Sequence, residues 1–356
     1  MAGQEVASVV KVRARGEQVR KFILDELAAH PSDIVRVTSD HFNVTRQAVN
    51  KHLQRLIDEG AILSAGNATR LRYRLAAIKE WNRSYAIERS LAEDRAWLDL
   101  VPELGSLPEN INHIWHYGFT EMFNNAIDHS GGKRIRVSMS KTAASTEIAI
   151  SDDGVGIFRK IQAAMSLADP RHSVLELAKG KFTTDPQRHS GEGIFFTSRS
   201  VDNFCILSGD VYFSHDHGDP EDWILESAGT ARGTYVRMHL HDHTSRTLKS
   251  VFDMFTADDD YGFTKTVVPV ELAKYGDDNL VSRSQAKRLL ARIDVFKTVI
   301  LDFSNVESVG QSFADEIFRV FQIQHPEVKL VPIHVAPLVE RMISRAKTGL
   351  LSTPTS

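Results

Sequence analysis

Hydrophobic and polar positions along the chain fall into three successive patterns. The first is helical. From Gly16 to Leu27 apolar residues recur near helical spacing until Pro31 stops the run, and a second short helix is expected from Arg36 to Phe42. Asn43 and Val44 then turn the chain, and Thr45 is placed to cap a third helix that runs through Glu59 and ends at Gly60. That helix offers Ala48, Val49, Leu53, Leu56 and Ile57 as its buried stripe, which leaves Thr45, Arg46, Gln47, Asn50, Lys51, His52 and Arg55 largely outside it. Ala61–Leu63 and Thr69–Leu75 read as two short strands around a small polar loop. Over Ile78–Leu98 the spacing of Trp81, Tyr85, Leu91 and Trp97 predicts a connector helix with one apolar face.

The second pattern mixes periods. Pro108 and Glu109 open a helix that carries Glu121 to His129, and Arg134–Met139 and Glu147–Ile150 alternate as strands. Ser173–Ala178 reads as a helix, residues 180–190 as a polar, breaker-rich loop of lid length, and Gly191-Glu192-Gly193 as the start of another apolar helix. Three strands are expected after it, at Asn203–Leu207, Trp223–Ser227 and Gly233–Leu240. In the third pattern strands (Thr264–Val270, Thr298–Phe303, Lys329–Ile333) alternate with helices (Ser282–Leu290, Ser312–Phe321, Pro337–Ser344), the signature of an α/β layer domain. The expected organisation is a front domain (1–77), a connector helix (78–98), a middle domain (99–256), a tail domain (262–346) and a flexible end (347–356).

Composition narrows this picture. A chain of 356 residues exceeds one ordinary core, and 42% apolar with 25% charged residues is the balance of a soluble globular protein. No apolar run approaches the roughly 20 residues that span a bilayer. The start, Met1 to Glu5, lacks the basic and apolar segments of a secretory signal. A single cysteine, Cys205, excludes an intrachain disulfide and a Cys-rich zinc site. Together these favour a cytoplasmic protein without a membrane partner. Residues 1–77 hold 12 Lys/Arg against 8 Asp/Glu although the whole chain carries −3, so the front end is the part suited to an anionic partner.

Two stretches carry the chemistry. Glu121 and Asn125 are four apart and share a helix face, offering a carboxylate and an amide oxygen. The strand Glu147–Ile150 runs into Asp152, Gly154 and Gly156, an acid followed by glycines that let the backbone turn and approach a ligand closely. Glu121, Asn125, Ala126 and Asp128, read with Asp152, Gly154 and Gly156, resemble the N and G1 boxes of the GHKL ATPases (gyrase B subunit, heat-shock chaperone, histidine kinase, MutL). Gly191-Glu192-Gly193 resembles that family's G2 box, and Gly233-Thr234 its closing strand.

The resemblance implies a Bergerat-type α/β sandwich that takes ATP and Mg2+. Asn125 would ligate Mg2+ and Glu121 would act as general base on an attacking water. Asp152 would accept the adenine amino hydrogen with Thr234 beside it. Gly154, Gly156, Gly191 and Gly193 would give room around the nucleotide, Asp128 would support the metal's hydration shell or pair with a neighbour, and Lys181 or Arg188 would neutralise the terminal phosphates. His215, His217, His239, His241 and His243 suggest a metal by their alternation, but with no Cys among them they are read as surface and core histidines. No two-helix histidine-bearing dimerisation element precedes the domain, which argues against a typical histidine kinase.

At the front, helix, helix, polar helix and basic hairpin is the layout of a winged helix-turn-helix, and Val44–Leu53 resembles the recognition helix of bacterial winged-helix repressors. That resemblance makes double-stranded DNA the expected partner, with Arg46, Gln47 and Asn50 toward base edges and Lys51, Arg55, Arg70 and Arg72 toward phosphates. A pure protein-interaction role for the module stays open. At the tail, Ile300–Phe318 resembles STAS-like domains, the fold of anti-anti-sigma factors, which implies a regulatory protein partner and makes Ser312 a possible phosphosite. Gly310-Gln311-Ser312-Phe313 departs from the usual Asp-Ser-Ser-Gly there, and a simple helix N-cap is the competing role for Ser312. The expected fold is thus multidomain α+β: winged helix, GHKL domain and STAS-like α/β domain, in a homodimer. The expected function is an ATP-dependent regulator of DNA binding or transcription. A serine kinase acting on its own or a partner's STAS-like domain, and a nucleotide-binding scaffold with little turnover, are the alternatives.

Overall fold

The computed structural model describes residues 15–66, 71–182, 191–218, 222–257, 260–274 and 279–351. The front domain consists of α1 (15–26), α2 (Ile34–Phe42), α3 (Arg46–Asp58) and an antiparallel hairpin of β1 (Ile62–Ala65) and β2 (Arg72–Leu75). Its core is the apolar stripe of each helix: Ile23 and Leu27, Ile34, then Val49, Leu53 and Leu56, closed by Ile62. Thr45 caps α3 as its sequence predicts, its Oγ1 accepting from Ala48 N at 3.2 Å. Gly60, at φ +74°, then lets the chain reverse into β1.

The connector over Ile78–Leu98 is not a helix. Its first half is β3 (Lys79–Ala86), which pairs antiparallel with β4 (Arg134–Lys141) from Lys79↔Lys141 to Ala86↔Arg134, and its second half leads into α4 (Glu93–Leu104). Trp81 and Tyr85 are four apart, a spacing that fits one face of a helix and equally one face of a strand. The unpaired edge of β4 supplies the backbone partners that resolve the ambiguity.

The middle domain is a five-stranded antiparallel sheet in the order β3-β4-β5-β7-β6, with helices against one face. Here β5 is Ser145–Asp152, β6 Asn203–Asp216 and β7 Asp222–His241. The last two strands replace the three expected. Trp223–Ser227 and Gly233–Leu240 lie on one strand, because a register shift at Ser208–Val211 absorbs the irregularity and the ladder to β6 continues beyond it. Ile135, Val137 and Met139 point inward from β4 while Arg134 and Arg136 are exposed, so one face packs and one meets solvent.

On the packed face lies α5 (Glu109–His129), burying Ile111, Ile114, Trp115, Phe119, Met122, Phe123 and Ala126 at three- and four-residue spacing. It is joined by α6 (Ile157–Met165), α7 (His172–Lys179) and α8 (Gly193–Ser200). After β7 come α9 (Leu248–Phe255) and a small hairpin of β8 (Thr256–Ala257) and β9 (Asp260–Phe263).

The tail is a three-stranded parallel sheet, β10 (Lys265–Pro269), β11 (Thr298–Asp302) and β12 (Lys329–Ile333), in that order. Its main helices are α10 (Arg283–Leu290), the segment α11 (Gln311–Asp315) that continues through a π-helical turn into α12 (Gln322–Gln324), and α13 (Pro337–Leu351). α13 outruns its expected end at Ser344 and takes in part of the end expected to be flexible. Val339, Ile343 and Ala346 keep its buried stripe going, and residues 352–356 lie outside the described residues. The N-cap of α11 is Gly310, so Ser312 sits exposed one residue inside the first turn and is not the cap.

One apolar core links tail and middle: Leu175, Ala178, Phe195 and Phe196 from α7 and α8 pack in the same cluster as Val268, Leu289, Phe296 and Phe313. Among the described residues no helix is long and apolar enough to cross a membrane.

Candidate functional site

Because α5 buries one stripe against the sheet, Glu121 and Asn125 fall on its flank, half-buried and one turn apart. That flank faces a cavity of about 230 Å3 between α5, the sheet, α6 and the start of α8. Its polar lining includes Glu121, Asn125, Asp152, Lys160 and Thr234, and its apolar walls include Met122, Ile157, Ile161, Phe182 and Ile206. A cavity that joins apolar walls to convergent polar groups is the usual form of a small-molecule site.

Asp152 ends β5 at the floor of this cavity. Its Oδ1 accepts from Gly154 N at 2.9 Å and from Thr234 N at 3.3 Å, while Thr234 Oγ1 accepts from Ile157 N at 3.0 Å. Burial pushes the Asp152 carboxyl above the usual carboxylate range, and the hydrogen bonds from Gly154 and Thr234 offset only part of that. Gly233, before Thr234 on β7, has φ +79°, and a Cβ there would lie 2.0 Å from Asp152 O. Only glycine lets β7 pass this close to the end of β5.

At the other end, Glu121 meets the start of α8. A Cβ on Gly193 would lie 2.0 Å from Glu121 Oε2, so the carboxylate occupies the space over the helix N-terminus that the missing side chain leaves. Tyr117, one turn before Glu121, has its hydroxyl pushed far up by burial and by the charges of Glu121 and Glu192. Glu192 is itself raised by burial, opposed by Lys181. Phe182 N donates to Gly191 O at 3.1 Å, which draws together the two ends of the loop between them.

The structure therefore brings Glu121, Asn125, Asp152, Thr234, Gly191 and Gly193 onto one cavity. Gly154 and Gly156 act from behind it. A Cβ on Gly154 would fall 2.1 Å from Ser130 O, and one on Gly156 2.5 Å from Ser208 Oγ, so both serve the tight turn after Asp152. Two expected residues sit elsewhere. Lys181 points its ammonium over the rings of Phe296 (5.0 Å) and Phe263 (5.5 Å), drawn by the π faces of the tail instead of by the cavity. Asp128 is exposed beyond Asn125, and its charge acts on Lys160 from outside the cavity. Arg188 lies outside the described residues, as does Arg70 at the front.

Lys160 is the cation that sequence reading misses. It lines the cavity from α6, donating to His129 O at 2.7 Å, and burial lowers its ammonium below the usual lysine range. No motif marks it; it arrives through the packing of α6 on the C-terminal end of α5. At the front, Arg46, Gln47, Asn50, Lys51 and Arg55 are all exposed along α3, and Arg72 is exposed on β2.

The donor set suits a hard cation, since Asn125 and Glu121 present oxygen atoms on the same flank of one helix. The start of α8 adds backbone N–H groups and a positive dipole end beside them.

Residues 114–244, which contain every residue of this cavity, match the family described as histidine kinase-, DNA gyrase B-, and HSP90-like ATPase. Residues 285–340 match a STAS-like domain of unknown function (DUF4325). No curated protein matches the chain. With the antiparallel sheet, the N-box helix and the Asp152 turn in place, the middle of this chain is a GHKL ATPase domain and its tail a STAS-like domain.

Proposed function

We propose that this chain is an ATP-binding, Mg2+-dependent regulator in which nucleotide turnover in the middle domain changes how the basic front domain meets double-stranded DNA. The reading rests above all on the convergence of Asp152, Thr234, Asn125 and Glu121 on one cavity. Asp152, held by Gly154 and Thr234, accepts a purine amino hydrogen. Asn125 would hold the metal, which would supply positive charge to neutralise phosphate oxygens. Glu121 orients and deprotonates water beside the N-terminus of α8. Lys160 adds a positive charge to the wall.

The route to the tail is supported by contacts at the end of α7. Lys179 Nζ donates to Arg288 O (3.0 Å) and Ala291 O (2.8 Å), Thr266 Oγ1 donates to Lys179 O (2.7 Å), and Arg292 Nη2 donates to Lys181 O (2.6 Å). Lys179 and Lys181, at the edge of the nucleotide cavity, are thereby bonded directly to the tail. For the front, three helices and a hairpin with a basic, exposed α3 face support a winged-helix reading with α3 in the major groove.

A second reading has one observation behind it. Ser312 is exposed in the first turn of α11, where a phosphate would meet the helix dipole favourably, so the middle domain is alternatively a serine kinase for this or a partner's tail. Purified protein incubated with γ-labelled ATP and Mg2+ separates the readings. Free phosphate supports the ATPase and labelled protein the kinase. Calorimetry that detects no heat with ATP, ADP or a non-hydrolysable analogue would sink both.

A further inference from the structure

Away from the nucleotide cavity, the far end of the sheet gathers a second set of chemical groups. His239 and His241 are two apart on β7 and therefore share a face. Asp202 immediately precedes β6, whose first residue pairs Asn203↔His239, and Asp202 N donates to His239 O at 2.9 Å. The Asp202 carboxylate turns onto the histidines: Oδ2 accepts from His241 N at 2.7 Å and lies 2.8 Å from His241 Nδ1. One ligand atom from each of Asp202, His239 and His241 falls within 4.8 Å of the others. The two rings stand at 90° with centroids 5.1 Å apart, so their nitrogens can converge on one point without the rings stacking.

We infer that Asp202, His239 and His241 form a binding site for a divalent transition-metal ion of the zinc class. Tetrahedral zinc with bonds of about 2.0–2.1 Å places neighbouring ligand atoms about 3.3 Å apart. The observed set is compatible with that value: His241 Nδ1 and Asp202 Oδ2 are 2.8 Å apart, and no two of the three ligand atoms are separated by more than 4.8 Å. Two imidazoles and one carboxylate select zinc-like metals over Mg2+ or Ca2+, which take oxygen ligands. Asp202 Oδ1 is engaged by Arg246 Nη2 at 2.9 Å, and Arg246 is anchored in turn on Ser200 O at 2.8 Å. The arginine thus orients the carboxylate from its outer oxygen, as outer partners of metal ligands do, and leaves Oδ2 facing the rings. Its positive charge opposes the ion, and a second carboxylate compensates. Asp25 of α1 acts electrostatically on the His241 ring, and its Oδ1 is buried without a hydrogen-bond partner. The groove beside it is lined by Arg20, Lys21 and Asp25 of α1 together with Ala143 and His243 of the middle domain. The ion would therefore sit where the front domain docks on the ATPase sheet.

The test uses the full chain, stripped with a chelator and held in excess Mg2+ so that the nucleotide cavity takes up no other metal. Cobalt(II) is added as the probe. A visible ligand-field band of tetrahedral intensity, saturating at one ion per chain and displaced by Zn2+, is the expected result. His239→Gln and His241→Gln, each checked for folding by circular dichroism, should weaken Co2+ by more than the roughly 10- to 100-fold that loss of an outer partner costs, whereas Asn125→Ala should leave the band in place. The proposal is overturned by the lack of a band in the native protein, by a band that persists in both folded histidine variants, or by one lost in Asn125→Ala. None of these readouts depends on ATP.

Discussion

Lys179 and Glu176 form an ion pair at 2.7 Å with side chains only 1% and 2% exposed, at the seam between the ATPase domain and the STAS-like domain. Burial pulls the lysine ammonium below its usual range, and the Glu176 carboxylate opposes that pull. Arg292 closes on the other oxygen, Oε2, at 3.3 Å. Charges enclosed this fully persist only when each is matched, so the pair ties the end of α7 to one arrangement of the tail.

Breaking the pair on one side should therefore cost much more than replacing it. Lys179→Met is expected to lose about 3–5 kcal/mol of stability, toward the lower end because Arg292 stays, while Glu176→Met with Lys179→Met recovers most of it. Urea unfolding of the three proteins measures this. Equal stability of the single variant and the native chain would refute the account.

The raised Asp152 carboxyl predicts a pH dependence with a definite sign. A carboxyl whose folded pKa lies above its unfolded value contributes most to stability below the ordinary carboxylate range and loses that contribution as pH rises through the raised value. Adenine recognition needs the ionised acceptor, so ATP affinity should rise over that same window. Asp152→Asn should flatten both profiles, read by thermal melts and by calorimetry across the acid side of neutrality.

Binding and turnover should separate by residue. Glu121→Ala is expected to keep nucleotide and lower hydrolysis by about 10²- to 10⁴-fold, the usual contribution of a positioned base. Asp152→Asn is expected to lose affinity instead, by about 1.5–3 kcal/mol for a charged hydrogen bond. Equilibrium binding and phosphate release, measured on both variants, distinguish the two effects.

The two glycine contacts predict different failures. Gly233→Ala adds a Cβ 2.0 Å from the Asp152 carbonyl at φ +79°, so it should destabilise the fold and weaken nucleotide binding together. Gly193→Ala meets the Glu121 side chain and no backbone, at 2.0 Å from Oε2, 2.8 Å from Cδ and 3.3 Å from Cβ. It should displace that carboxylate and lower turnover more than affinity. Melting temperature and the split between affinity and rate report each outcome.

On the proposed DNA-binding role of the front domain, Lys51→Ala or Arg55→Ala should weaken binding to all duplex sequences alike and reduce the salt slope by about one per lost phosphate contact. Asn50→Ala should instead relax preference at one position. Gel shifts across a salt series, with matched and mismatched duplexes, check both.

Much of this molecule is legible along the chain because its information is local. Glu121 and Asn125 share a face by helical spacing alone, the Asp152 turn announces itself through its glycines, Thr45 caps α3 by its hydroxyl, and the tail's alternation yields its layers. Spacing could not say whether Trp81 and Tyr85 belong to a helix or a strand, since four residues fit both periods and the deciding partner, β4, comes about fifty residues later. Nor could it show that Lys181 turns to Phe263 and Phe296, or that Lys160 completes the cavity. The buried Lys179–Glu176 pair beneath the tail and the meeting of Asp202 with His239 and His241 were equally out of reach. Each of these depends on which surfaces pack against one another, and burial and ion pairing act across space, where distance along the chain carries no signal.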